Sequence, residues 1–279
     1  MKLLRIYLIV LFSTLVSILQ AYGYEGYEKF PMKGNSIFPL TDVNIKLSEI
    51  NVLMENKKRK DVAIKVISEY FFENLSNEGI TFKVALPVVS DCLGCTKMPD
   101  GFSISVNNNP IQTSTGKIIA KDFLFRIYKE RSFREGEKIY PPKEISERVD
   151  EIPLIIWELS FKPNEKKKIV ATYIMEWYID PGAESLEYDL STLYLWKGNI
   201  EKASFRLILP QELIDVTDIK TGNAFKWRWP KPKITIQPEN YEVNKTNNSI
   251  EWFFRNLNKK RIGYITVDLD YRAPGIVGE

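Results

Sequence analysis

Most of this chain alternates apolar and polar residues with a period of two, and that repeat limits what it can fold into. Only a β-strand places every second side chain on one face, so the pattern predicts half-buried strands. In "DVAIKVISEYFFEN", Val62, Ile64 and Val66 share a face, and Tyr70 and Phe72 continue its parity. "ITFKVALPVV" reads as a strand that ends near Pro87. In "KKIVATYIMEWYI", Ile169, Ala171, Tyr173, Met175 and Trp177 lie on one side, and Val170, Thr172, Ile174 and Tyr178 make the other side nearly as apolar. Two apolar faces predict a strand with neighbours on both sides. "ASFRLILP", "KITIQP", "SIEWFFRNL" and "GYITVDLDYR" read as four more strands.

Turn residues separate the strands at 74–79, 162–165 and 256–259. Helical patterns are confined to Glu144–Val149 and Ser185–Leu195. Short strands at roughly ten-residue spacing, joined by Asn, Gly and Pro turns, predict an all-β, mainly antiparallel chain. The expected architecture is two β-sandwich-like domains with only short helices. Residues 36–133 form the first domain and 154–273 the second. The charged, proline-containing stretch 134–153 is the expected linker.

The amino terminus predicts export. Lys2 and Arg5 precede an apolar run from Ile6 to Leu19, and Ala21-Tyr22-Gly23 supplies small residues at an expected cleavage site. Residues 1–23 therefore read as a cleaved signal peptide, followed by a tail at 24–35. The apolar run is shorter than the roughly 20 residues usual for a membrane-spanning helix, and no later stretch reaches that length. Loss of the leader lowers the formal charge from +3 to about +1, which provides no bulk attraction for nucleic acid. The chain has no histidine. That excludes Ser-His-Asp and Cys-His catalysis and any zinc site that uses imidazole. Nothing in the sequence calls for a cofactor.

Three segments together resemble an exported bacterial family known as domain of unknown function 4424. The first is "VNIKLSEINVLMEN...VAIKVISEYFFENLSNEGITFKVALPVV" and the second "LIIWELSFKPNEKKKIVATYIMEW", which looks like that family's hairpin from a tryptophan strand to a tyrosine-bearing strand. In the third, "YDLSTLYLWKGNIEKASFRLILP", Tyr188, Trp196, Gly198 and Ile200 stand where the family pattern has Tyr, Trp, Gly and Ile. The closing "IEWFFRNLNKKRIGYITVDL" fits the same pattern. The resemblance implies an extracytoplasmic, non-catalytic, β-rich protein and brings no active-site residues.

The two cysteines, Cys92 and Cys95, are spaced CxxC. A closed zinc site needs four ligands, and neither a histidine nor a second cysteine pair is present. A redox centre needs the motif at a helix start, which Pro99 and Gly101 oppose. The favoured reading is a disulfide between Cys92 and Cys95 that closes a tight loop in an oxidising compartment. In "FKWRWPKPK", Trp227 and Trp229 share one face of an extended segment, with Lys226 and Arg228 on the other. These four could form a stacking platform for a glycan or anionic polymer, or a strand with core tryptophans and solvated cations. Trp196 is expected to plug the core of the second domain, over the sheet made by "ATYIMEW" and "SFRLIL". Gly198 is expected to supply the positive φ that opens the following turn.

Carboxylates are abundant: Glu49, Glu55, Glu69, Glu73, Asp100, Glu158, Glu176, Glu184, Glu187 and Asp189. Sequence spacing cannot set two of them across a cleft, as a glycosidase requires. Gly116-Lys117 in "STGKIIAK" lacks the rest of a phosphate loop and reads as a turn entering a strand. The favoured function is a non-enzymatic exported protein that binds a protein or glycan partner at the bacterial cell envelope. The alternative is an envelope-polysaccharide hydrolase with paired carboxylates.

Overall fold

The computed structural model describes residues 34–56, 63–88, 101–119, 122, 151–180, 183–217, 233–257 and 263–270. The chain is all-β. Its strands begin with two short pieces, β1 (Gly34–Asn35) and β2 (Phe38–Pro39), then β3 (Ile45–Glu55), β4 (Ala63–Asn74) and β5 (Ile80–Pro87). They continue as β6 (Ser103–Val106), β7 (Asn109–Pro110), β8 (Ser114–Ile119), β9 (Glu151–Phe161) and β10 (Lys166–Glu176). After these come β11 (Tyr178–Asp180), β12 (Ala183–Asp189), the 3-10 turn η1 (Ser191–Leu195), β13 (Ile200–Ile208) and the helix α1 (Gln211–Thr217). The last strands are β14 (Lys233–Gln237), β15 (Tyr241–Asn244), β16 (Ser249–Leu257) and β17 (Tyr264–Asp270).

Among the described residues the strands form three sheets. The largest has eight strands in the order β15-β16-β13-β3-β4-β10-β6-β7. Its pairs are antiparallel except β13 with β3, which run parallel. A five-stranded sheet has the order β1-β12-β17-β14, with β11 on β12, and a four-stranded sheet has the order β2-β5-β9-β8. β10 lies between β4 and β6, an interior position in its sheet as expected.

The expected split into two domains at 134–153 is not what forms. Residues Pro31–Glu279 make one compact unit. Strands from both sides of 134–153 hydrogen-bond within the eight-stranded sheet, and Glu151–Pro153 already belong to β9. The physical reason is visible in β10. Both of its edges need hydrogen-bond partners, and β4 and β6 from the first half supply them. One continuous core takes residues from all three sheets, among them Ile50, Tyr70, Phe82, Trp157, Tyr173, Tyr188, Phe205 and Val267.

Two of the turns are corners between sheets. β4 and β9 each leave one sheet, and their successors β5 and β10 enter another. The corners run side by side and bond to each other. Asn74 donates its backbone N–H to the Glu165 carbonyl at 3.0 Å. Its side-chain amide donates to the carbonyls of Glu78 and Lys162 at 2.8 and 3.0 Å. The hairpin implied by the family resemblance is therefore a sheet-to-sheet corner here.

The helical reading of Ser185–Leu195 also changes. Its first half is strand β12, where Leu186 and Tyr188 are fully buried and their neighbours are half-exposed. The spacing of Leu186 and Leu190 fits a helix, but Tyr188 joins them on the same strand face. Only Ser191–Leu195 turns, as a 3-10 segment. Residues 144–149 lie outside the described residues.

The segment 34–39 ties the sheets together. β1 pairs in parallel with β12, and β2 pairs antiparallel with β5 in a different sheet. Ser36, Ile37 and Phe38 between them are wholly buried. At Ser36 and Ile37 the carbonyls lie between strands and would otherwise be buried without donors. Thr192 Oγ1 donates to the Ser36 carbonyl at 2.9 Å, and Trp196 Nε1 donates to the Ile37 carbonyl at 3.0 Å.

A buried polar seam lies beside this crossing. Tyr188 Oη meets Ser68 Oγ at 3.2 Å. The Tyr70 hydroxyl faces Tyr188, Ser68 and the Ile37 carbonyl without a well-formed hydrogen bond to any of them. Burial first, and then the neighbouring Tyr188, pushes the Tyr70 hydroxyl well above the usual tyrosine range. The folded chain therefore keeps a proton that the unfolded chain releases near pH 10. Stability from this group is complete below about pH 10 and falls as pH rises further, by up to roughly 1.4 kcal/mol per pH unit. Urea midpoints measured from pH 9 to 11 should fall with pH, and Tyr70→Phe should flatten that fall. Equal slopes for the two proteins would show that Tyr70 does not carry it.

Candidate functional site

Trp196 follows η1, and its ring is completely buried. It packs on Phe72 of the eight-stranded sheet, with ring centroids 4.4 Å apart, and on Phe82 of the four-stranded sheet at 6.3 Å. It therefore bridges two sheets, where the sequence reading placed it over "ATYIMEW" and "SFRLIL". Gly198 has φ of +66°, the left-handed region that favours glycine. A Cβ there would find space, with Lys46 Cγ at 3.7 Å, so backbone conformation and not crowding is the constraint. Cys92, Cys95, Lys226, Trp227, Arg228 and Trp229 lie outside the described residues, as do the leader and the proposed cleavage site.

The carboxylates that the sequence singled out spread over several strands. Glu55, Glu69, Glu73 and Glu176 are half-buried at alternating positions of β3, β4 and β10, and Glu158 is exposed on β9. Glu69 is held by Lys168 at 2.6 Å, and Glu73 by Lys166 at 3.6 Å. Asp100 lies outside the described residues. Among the described residues no three acidic side chains gather as a metal site.

One cavity opens on the eight-stranded sheet where β3 is irregular. The register between β3 and β4 shifts between Leu47 and Glu49, which leaves Ser48 as the extra residue of a bulge. Ser48 Oγ turns back and donates to the Phe71 carbonyl at 2.9 Å. The opening has a volume of about 240 Å³ and is lined by Ser48, Glu49, Phe71, Phe72, Lys166, Lys167 and Lys168.

Its charges are arranged in detail. Lys168 stands 5.6 Å from the centre of the Phe71 ring while it pairs with Glu69. Lys167 lies over Phe161 at 5.3 Å and pairs with Glu165 at 3.4 Å. Lys166 is the loosest and most exposed of the three, with 75% of its side chain open. Glu49 accepts from the Asn51 amide at 2.9 Å and has no ion-pair partner among the described residues. The run Lys166–Lys168 directly after the Asn164-Glu165 turn is the sequence signal for this site. The bulge that opens it has no such signal.

No protein-family model and no curated protein matches the chain by sequence. Solved structures do match in shape. One is a candidate nutrient binding protein from Legionella pneumophila, 15% identical, with a TM-score of 0.55 over 86% of this chain and 71% of that one. The two share a fold. Another is an M1 zinc metallopeptidase from Deinococcus radiodurans, 5% identical, with a TM-score of 0.34. This chain spans 42% of that peptidase, and the score is too low to place the two in one fold.

Proposed function

We propose that this chain is an exported, non-enzymatic binding protein of the bacterial cell envelope, of the kind found in the domain of unknown function 4424 family. One observation carries the binding reading: the cavity at the β3 bulge combines an aromatic floor, Phe71, with charged groups of both signs on a rigid sheet. Sites built on strands hold their groups more closely than sites on loops. The shared fold with the Legionella protein supports the same reading, because that protein is named for nutrient binding. The leader pattern at 1–23 supports export. The positions that carry the family resemblance act in folding: Tyr188, Trp196 and Ile200 are buried, and Gly198 holds its positive φ. Among the described residues no helix is long and apolar enough to cross a membrane.

The partner is an envelope protein, a glycan or a small solute. Thermal unfolding in the presence of amino acids, sugars, sugar acids and phosphate tests the site. A ligand at 100 times its Kd should add about 2.7 kcal/mol of stability. At least one class should raise the midpoint of the wild type and leave that of Phe71→Ala unmoved. A panel without any such shift would defeat the solute reading of this cavity. Release of reducing ends from purified envelope polysaccharide would favour the hydrolase instead.

A further inference from the structure

We infer that the bulge cavity takes a small zwitterion, a ligand that carries an ammonium group and a carboxylate together. This rests on the binding reading above and adds the ligand's chemistry. Both charges come from the same few residues. Glu49 is the one lining carboxylate, and among the described residues the Asn51 amide is its one hydrogen-bond donor. A carboxylate accepts at several lone pairs, and one amide leaves most of them open. Ser48 Oγ, which also lines the cavity, spends its proton on the Phe71 carbonyl and is left with lone pairs that can only accept. Glu49 and Ser48 together suit an ammonium group.

The cationic side is built differently. Lys168 is held by Glu69 at 2.6 Å, Lys167 is largely buried beside Glu165, and each also lies against an aromatic face. Lys166 reaches Glu73 only at 3.6 Å and is largely exposed, so a ligand carboxylate can draw it away at little cost. In the strand register Lys166 pairs with Glu73, and Glu49 pairs with Phe71 on the other side of the bulge. Lys168 stands opposite Phe71 on β10, and Lys166 lies two positions along the same strand on the same face. Glu49 on β3 and Lys166 on β10 are therefore two strand spacings apart, roughly 10 Å, with Phe71 of β4 between them. A ligand with one charge satisfies one side and leaves the other unmatched. A volume of about 240 Å³ lies below the roughly 300–1,000 Å³ of drug-sized sites, which limits the ligand to a few heavy atoms.

Three probes separate the contributions: γ-aminobutyric acid, butylamine and butyrate, titrated into the full chain at low ionic strength and followed by amide chemical shifts. The zwitterion should bind at least about tenfold tighter than either half, the loss expected from one charge-assisted contact. Glu49→Gln should weaken γ-aminobutyric acid several-fold and leave butyrate unchanged. Lys166→Met should weaken γ-aminobutyric acid and leave butylamine unchanged. Both positions are solvent-accessible, and thermal midpoints like the wild type's will show that the variants fold. The inference is overturned if butyrate or butylamine matches the zwitterion, if Glu49→Gln is silent, or if none of the three probes gives saturable shifts. In each case the binding reading is still judged separately by the wider solute panel.

Discussion

Replacing Trp196 with alanine should lower the unfolding free energy by about 3–5 kcal/mol, the usual loss for a buried aromatic. The ring is fully buried and fills the space between Phe72 and Phe82, two side chains from different sheets that alanine cannot bridge. The same substitution removes the donor to the Ile37 carbonyl. A buried acceptor left without a partner costs about 1–3 kcal/mol. Trp196→Phe helps separate the two contributions, because it keeps an aromatic ring between the sheets and removes the N–H together with part of the ring volume. Urea unfolding should give a large midpoint drop for alanine and a smaller one for phenylalanine, both at unchanged slope. A midpoint for Trp196→Ala within error of the wild type would show that the ring does not join the sheets, and would reopen its use as a ligand-binding residue.

Introducing a charge at Ile37 should have a still larger effect. Ile37 is fully buried in the crossing between β1 and β2 and belongs to the main core. An aspartate there loses the packing of the isoleucine, about 2–5 kcal/mol. It must also stay ionised without a partner or take up a proton, at a cost of several kcal/mol more. Domains of ordinary stability have roughly 5–15 kcal/mol in all. Ile37→Asp should therefore be largely unfolded at neutral pH and room temperature, as read by near-ultraviolet circular dichroism and proteolysis. Thr41→Asp, four residues on and exposed, is the control and should unfold like the wild type. A folded Ile37→Asp protein would mean that the crossing segment can leave the core while the sheets stay closed.

The strands were legible in the sequence because each needs only local information. Val66, Tyr70 and Phe72, or Ile169 and Tyr173, alternate where one face is buried, and the pleat does the rest. Which sheet a strand joins was not legible. The turns after Asn74 and after Lys162 have the residues of hairpins, but their strands part into different sheets, and nothing in Asn, Gly or Pro distinguishes a hairpin from a corner. The two-domain reading failed for the same reason: the partners of β10 and β13 lie more than a hundred residues away along the chain or in the opposite half. Helical spacing in Leu186, Leu190 and Leu193 was real but shared with a strand, and the inward Tyr188 decided it. At the site, Lys166–Lys168 could be read and the cavity could not, because a bulge is a relation between β3 and β4 and not a property of either.

The crossing at Ser36 and Ile37 also sets the order in which the chain can fold. The bond that secures Ile37 comes from a side chain 159 positions further along. At synthesis rates of about 5–20 residues per second, the amino-terminal segment waits roughly 8–30 s for Trp196 to appear. Until then Ile37 and Phe38 have no finished interior to enter. Contacts of such long range fold slowly, and here they fall on the first residues of the β-body to emerge. The crossing thus cannot be completed until 196 of the 279 residues have been made, and it is among the last parts of the fold to close.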